Sequence, residues 1–429
     1  MAGTRLTRTP SADGNLDKFT ISLWFKRCKL GSQQKFLFAG DSGSNQLQVL
    51  FHNDDQLQFE YYDGSYNYKI KTNRKFRDTS AWYHLVVVWD TGNSTSGDRM
   101  IFYVNGTRET SFASEAQPTQ NLDGFWNDAS YTNYIGSGPT QYFDGLMSHI
   151  HLTDGYVYDA SAFGSTDATT GEWKINTSPT VTYGTNGFFI LKDGNSVTDQ
   201  SGNSNNFTVA TGTLTNTEDC PSNVFATYNP LNTDRSLSNG NLTVVTTAAN
   251  FYGASATLGD SSGKYYWEVK LDTSTYQFVG VDYNPSESFR NNQSSGTAHS
   301  YLIYAGNGSI YNNGVVTSYG TAYSQGDIVG VAMDLDNSKL YFSKNGTWQN
   351  SADPASGTGG FSLTANQTYF PVIGDGASAY GATSSTNFGN GYFGTTAISS
   401  EGTNASNIGK FEYDVPTGYT ALSTKGLNE

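Results

Sequence analysis

Long apolar runs are missing from this sequence. No stretch of about 18 apolar residues occurs, which argues against a membrane-spanning helix. Charge is scarce too. Charged residues form 14% of the 429-residue chain, and 24 basic against 38 acidic side chains leave a net charge of −14. With no Lys/Arg-rich run, a phosphate backbone is repelled, so no nucleic-acid partner is expected. The only cysteines are Cys28 and Cys220, too few for a disulfide framework or a Cys-rich zinc site. No heptad pattern is visible, so no coiled-coil shaft is expected. The opening residues, Met1-Ala2-Gly3-Thr4-Arg5-Leu6, lack the apolar segment of a secretion signal.

What is abundant is aromatic and turn-forming: 29 Tyr, 25 Phe and 47 Gly. That composition fits many strands and many turns. Phe19, Ile21, Leu23 and Phe25 alternate along one segment, and Leu57, Phe59 and Tyr61 along another, as half-buried strands do. Trp82 to Trp89 is apolar on both faces and reads as a central strand, and Tyr142 to Leu152 forms a further strand. Asn105-Gly106, Asp336-Asn337 and Asn345-Gly346 are turn formers that tolerate positive φ.

Four landmarks in order, Phe19 to Arg27, Trp82 to Asp90, Tyr103-Val104-Asn105-Gly106 and Phe143-Asp144-Gly145, resemble those of laminin-G-like, concanavalin-type jelly rolls. In many such domains an Asp-x-Ser-Gly-Asn turn precedes the first landmark. Here Asp199-Gln200-Ser201-Gly202-Asn203 follows the last, so the strands near Phe188 and Phe207 are expected to return to the first sandwich in a permuted order. In the second half, Lys264 to Val269, Val279-Gly280-Val281, Gly326 to Gly346, Tyr369 to Val372 and Asn387-Phe388-Gly389 resemble the successive strands of SPRY domains. The expected fold is all-β: two antiparallel β-sandwich (jelly-roll) domains, laminin-G/concanavalin-like over 1–235 with a packed connector over about 156–235, then SPRY-like over 236–429 with a C-terminal tail.

The pairing of these modules, with Asp144 to Gly155 and Asn223 to Leu231, resembles virion proteins of marine tailed bacteriophages. The resemblance implies a location on the tail or capsid exterior, synthesis in a bacterial host cytoplasm, other virion proteins as partners, and a homo-oligomer such as a trimer. It leaves two functions open: a fibre or decoration protein contacting host surface glycans, or an accessory protein bound only to virion proteins.

Four short patterns mimic active sites. Gly40-Asp41-Ser42-Gly43 and Gly259-Asp260-Ser261-Ser262-Gly263 mimic nucleophile loops, yet no βα unit surrounds the second and no His precedes the first. Gly389-Asn390-Gly391-Tyr392-Phe393-Gly394 lacks the helix a dinucleotide needs. Asp334 to Lys339 has Lys339 where a calcium loop needs Gly. No paired carboxylates of a glycosidase stand out, so no enzyme is expected, a glycan-active one being the remote alternative. His149 and His151, two apart on a strand, share a face without an evident third ligand. A structural Ca²⁺ would draw on Asp144, Asp193 and Asp199, which lie in turns.

Aromatic rings beside Asn and Ser donors suit sugars or protein partners. The candidate contacts are Trp126, Asn127, Tyr131 and Tyr134 in a polar loop, Tyr62 and Tyr66 at a hairpin, and Tyr304 and Asn307 around Gly306-Asn307-Gly308. The plain alternative for each ring is a core or loop anchor. Trp126 ranks first because the Asp123-Gly124-Phe125-Trp126-Asn127 loop sets it inside a polar, Gly-containing segment, which predicts an exposed ring whose loss weakens binding and spares folding.

Overall fold

The computed structural model describes every residue except 1, 2, 193, 195, 234, 247–252, 274, 286–297, 376–380 and 429. It divides into two compact units, Met1–Asn216 with Cys220–Ser222, and Thr217–Asp219 with Asn223–Glu429. Three short 3-10 turns, Ser96–Asp98, Ala160–Ala162 and Gly426–Asn428, lie among or after the strands.

The first unit is a sandwich. Its eight-stranded sheet runs Phe112–Ala116, Tyr68–Lys75, Gln56–Tyr62, Gln46–Phe51, Gln34–Gly40, Thr132–Ile135, Arg5–Arg8, Thr208–Thr211. The six-stranded sheet runs Phe188–Ile190, Gly145–Asp154, Lys18–Arg27, Trp82–Asp90, Met100–Val104, Thr107–Arg108. Pairing in both is antiparallel. Phe188–Ile190 pairs with the Gly145–Asp154 strand and Thr208–Thr211 with Arg5–Arg8, so both late strands add to these sheets. Phe19, Ile21, Leu23 and Phe25 from one sheet meet Leu57, Phe59 and Tyr61 from the other in a single core, as period-2 alternation requires.

One ion pair is sunk in this unit. Arg27 meets Asp55 at 3.1 Å, stacks 4.1 Å above the Phe51 ring, and donates to the carbonyls of Phe76 and Lys29. Asp55, in left-handed conformation (φ 67°) at a hairpin turn, also accepts from Arg77 and from the Gly31 amide. Burial alone would raise its carboxyl; the amide and the two guanidiniums outweigh that and hold it below the usual carboxylate range.

The outer face of the six-stranded sheet is roofed. Trp24, Thr20 and Ser22, whose side of the strand reads as polar in sequence, are buried. Val86, Val88 and Ile101 pack under Tyr158, Ala160, Phe163 and Trp173 of the connector. His84 clasps the roof: its Nδ1 accepts from Trp173 Nε1 at 3.0 Å, its Nε2 lies 2.8 Å from Ser22 Oγ, and its ring stacks on Trp24 and Trp173. Burial pushes the imidazole down to about 3. His149 and His151 are separated in register by a bulge, with His149 at φ 49°, and both rings contact Phe189.

The second unit has a seven-stranded sheet, Tyr228–Thr233, Gly253–Ala256, Phe370–Asp375, Gln277–Asp282, Ser300–Tyr304, Ser309–Asn312, Val315–Ser318. Facing it is a sheet whose main path is Ser236–Ser238, Thr243–Val245, Thr383–Asn387, Lys264–Leu271, Ile328–Asp334, Lys339–Lys344, Thr347–Trp348. Asn345 and Gly346 both take positive φ, whereas in the turn after Asp334 it falls on Ser338. The tail packs outside this sheet: Phe411, Val415 and Tyr419 meet Tyr266, Ala332 and Tyr341. It is fastened by buried Glu268, whose carboxylate accepts from the amides of Glu412 (2.9 Å) and Tyr413 (2.8 Å), the Tyr266 hydroxyl and the Asn387 side chain. Burial raises Glu268 to about 7 against these four donors.

The two buried titrations have opposite signs. His84 is neutral when folded and takes up a proton more readily unfolded, so it withdraws stability as pH falls below about 6.5. Glu268 binds a proton in the folded state that the unfolded chain has released, so its contribution grows as pH falls from about 7. Hydrogen exchange, corrected for intrinsic rates, should therefore quicken around Leu85–Trp89 and slow around Glu412–Tyr413 on going from about pH 7.5 to pH 5.5. Glu268→Ala strands several buried donors and should cost about 3 kcal/mol or more in urea unfolding.

Candidate binding face of the eight-stranded sheet

Register decides which side chains leave the core. With Leu47, Val49, Phe51, Leu57, Phe59, Tyr61 and Ile70 inward, the intervening residues must point out. Tyr134, Phe38, Gln48, Glu60 and Lys69 are successive cross-strand partners, forming one row over five strands. Lys35, Leu50, Gln58 and Lys71 form the row beside it. Gly40, Gln46 and Tyr62 form the row on the other side.

This outward face is recessed. Phe38 is 0%, Gln48 1% and Glu60 4% exposed, although none belongs to the cluster packed between the sheets. Tyr134 stands edge-on to Phe38 at 5.4 Å, and the Lys35 ammonium lies 5.4 Å from the same ring. Arg5 sits over both Tyr134 and Tyr142. At the far end Tyr62 and Tyr66 contact each other at 4.6 Å, with Tyr66 60% exposed.

Glu60 is the centre. The side-chain amides of Gln58 and Gln48 donate to its two oxygens. Burial pushes its carboxyl up, against the pull of those amides and of Lys35 and Lys69. Burial likewise pushes the Lys35 ammonium down, against the attraction of Glu60. Donating to Glu60 leaves the other end of Gln48 over: its Oε1 is buried with no partner among the described residues. A buried acceptor without a donor is costly and rare, and here it lies between an aromatic wall and a carboxylate. Where the side chains covering Gln48 part, such a face can receive hydroxyl donors while an apolar ring face stacks on Tyr134 or Tyr62.

The structure sorts the sequence candidates into three places. Tyr134, Tyr62 and Tyr66 come together on this face. Tyr304 and Asn307 lie in the second unit, where Tyr304 and Tyr311 pack on Phe278, and Asn307 caps its own turn by accepting from the Ser309 amide and donating to the Tyr311 hydroxyl. Trp126, Asn127 and Tyr131 are corrected. The Trp126 ring is 1% exposed within the core, and Asn127 is 1% exposed, its amide donating to the Asn15 carbonyl. Tyr131 is half-buried edge-on to Phe125, which stacks on Tyr61. The polar, Gly-containing segment misled because residues distant in sequence supply the apolar surroundings: Trp126 and Phe125 join the sandwich core.

Two of the three turn aspartates named for calcium, Asp144 and Asp199, are described. Asp199 accepts from the amides of Phe189, Ser201 and Asn205 and from the Ser201 hydroxyl, so the protein itself fills its lone pairs. Burial raises the Asp144 carboxyl, and Asp193 lies outside the described residues. Among the described residues no three His, Cys, Asp or Glu side chains gather around one point. Asp41, in the protease-like loop, accepts from the amides of Gly43, Ser44 and Asn45, an ordinary turn.

Phe38, Gln48, Gln58, Glu60 and Lys35 were missed by sequence reasoning. The readable signal was Gln46-x-Gln48 followed by Gln56-x-Gln58-x-Glu60, amides and a carboxylate on one face of adjacent strands.

Comparison with known proteins agrees with this architecture. Residues 2–161 match the family model of the concanavalin A-like lectin/glucanases superfamily, and residues 264–391 match that of the SPRY domain. Both units are thus β-sandwich domains of types that serve as binding modules. Similar solved structures include the SPRY domain of human HERC1 (19% identity, 37% of this chain and 96% of that chain, TM-score 0.31). The TRIM65 PSpry domain is another (19%, 38% and 91%, 0.30), as is the heptameric SAP-like pentraxin of Limulus polyphemus (16%, 36% and 72%, 0.27). The search of curated proteins finds no match.

Trp126→Ala should accordingly cost about 3–5 kcal/mol of stability, as large core truncations do. Urea unfolding followed by first-unit fluorescence checks this; an unchanged midpoint contradicts the core placement.

Proposed function

We propose that this chain is a non-enzymatic bacteriophage virion protein whose first sandwich holds a saccharide, such as a host surface glycan, on the Glu60 face. The unpaired, buried Gln48 Oε1 between Phe38, Tyr134 and Glu60 carries this reading. Sugar hydroxyls supply the missing donor, and sugar ring faces match the aromatic wall. The three cross-strand rows contain one carboxylate, Glu60, where glycoside hydrolysis ordinarily needs two flanking the bond. That supports binding without turnover. The virion setting is supported by the sequence resemblance of both modules and of Asp144 to Gly155.

A second reading, an accessory protein bound only to other virion proteins, draws on the second unit. There Phe278, Leu302 and Val372, with Tyr304 and Tyr311, form an apolar cluster separate from the main core.

Binding to immobilised bacterial surface polysaccharides distinguishes the two. Tyr134→Ala and Gln48→Ala should each weaken binding by about 2 kcal/mol if they are central contacts, while Asn307→Ala leaves it unchanged. Binding by the wild type that neither variant weakens removes the Glu60 face as the site, and no binding to any polysaccharide favours the accessory reading. Labelling the protein on intact virions tests the setting.

A further inference from the structure

Sheet edges are where β-proteins pair with one another, and natural edges are shortened, charged or bulged to prevent it. Several edges here follow that rule. Thr107–Arg108 and Thr347–Trp348 are two residues long, and Phe112–Ala116 carries Glu115 and a register shift. The Val315–Ser318 edge does not. All four residues are exposed, with Val315 at 61% and Val316 at 52%, and the segment has no charge, proline or register shift.

Its backbone is available as well. Asn313 and Gly314 both take positive φ, 49° and 75°, and Asn312 pairs with Val315 across them. That is a two-residue hairpin turn, in which the pair flanking the turn exchanges hydrogen bonds and every second pair thereafter does so. The N–H and C=O groups of Val316 and Ser318 therefore point away from the sheet. Among the described residues no strand takes them up.

Charge indicates the occupant. The chain has a net charge of −14, yet Ser300 through Gly326 contains no Asp, Glu, Lys or Arg. Two copies meeting along this hairpin bring no like charges from it into opposition, whereas a cationic partner would find nothing there to attract it. The side-chain row continues the argument: Leu302, Tyr311 and Val316 are successive cross-strand partners, so the apolar outer face runs to the edge.

We propose that Val315–Ser318 pairs antiparallel with the same strand of a second copy, joining two seven-stranded sheets into one. A strand paired antiparallel with itself is two-fold symmetric, so the contact closes on itself rather than propagating. This inference stands apart from the saccharide reading, since it concerns the other unit.

Sedimentation velocity of the full chain over a concentration series tests it. The wild type should form a dimer. Val316→Pro removes an N–H that the hairpin does not use, and Val316→Lys sets like charges across the two-fold. Each should raise the dimer dissociation constant by about tenfold or more, with thermal unfolding and polysaccharide binding unchanged when compared at concentrations where the wild type is monomeric. A wild type that stays monomeric, one that forms trimers, or a dimer that both folded variants leave intact overturns the proposal. If Val316→Pro lowers thermal stability, Val316→Lys alone decides.

Discussion

Cross-strand register in the eight-stranded sheet governs what this protein can present. Leu47, Val49, Leu57 and Phe59 gain from burial only in the observed pairing, and that same pairing sets Gln48 opposite Glu60 and Phe38 opposite Gln48. A slip of one residue would drive Glu60 into the core and turn Phe59 to water. The outward polar row is thus positioned by the inward apolar one. The bulge between Lys35 and Leu37 belongs to the same constraint: it lets Phe36 and Leu37 both enter the core while Lys35 and Phe38 stay outside.

Buried charge plays a complementary part in each unit. Asp55 draws together Arg27, Arg77 and the Gly31 amide, which come from separate stretches of chain. Glu268 joins a central strand to a tail more than a hundred residues later in the chain. Replacing such groups by apolar ones of equal size need not weaken a protein. What an anion surrounded by fixed donors adds is specificity, because only one placement of the loop or tail satisfies every donor. His84 does the neutral equivalent, offering one acceptor to Trp173 and so fixing where the roof rests.

Much of the fold was legible because alternation and turn chemistry are local. The inward sets Phe19 to Phe25 and Leu57 to Tyr61, the central Trp82–Asp90 strand, and the Asn105-Gly106 and Asn345-Gly346 turns appear where the sequence pattern puts them. Burial of loops was not legible. Trp126 lies in a mostly polar, Gly-containing segment, yet its ring joins the core, while Phe125 beside it stacks on Tyr61 and Gly124 lies against Trp89 and Leu47. The polar face of Lys18–Arg27 misled in the same way, since what covers it comes from the connector. The candidate face was half visible: its aromatic rim could be guessed, but the bond between Gln48 and Glu60 depends on which strands are neighbours.

The pairing of Arg5 with Thr211 has a mechanical consequence. The first and last strands of the eight-stranded sheet's edge lie antiparallel, so the chain enters and leaves that pair at the same end. Tension applied between Arg5 and Thr211 would meet the inter-strand hydrogen bonds one after another, as a zipper does, rather than all together in shear. The edge strand would peel at low load while Trp82–Asp90 and its neighbours still carried none. Under tension the sandwich would therefore lengthen by a short, reversible release at one edge before its core was strained.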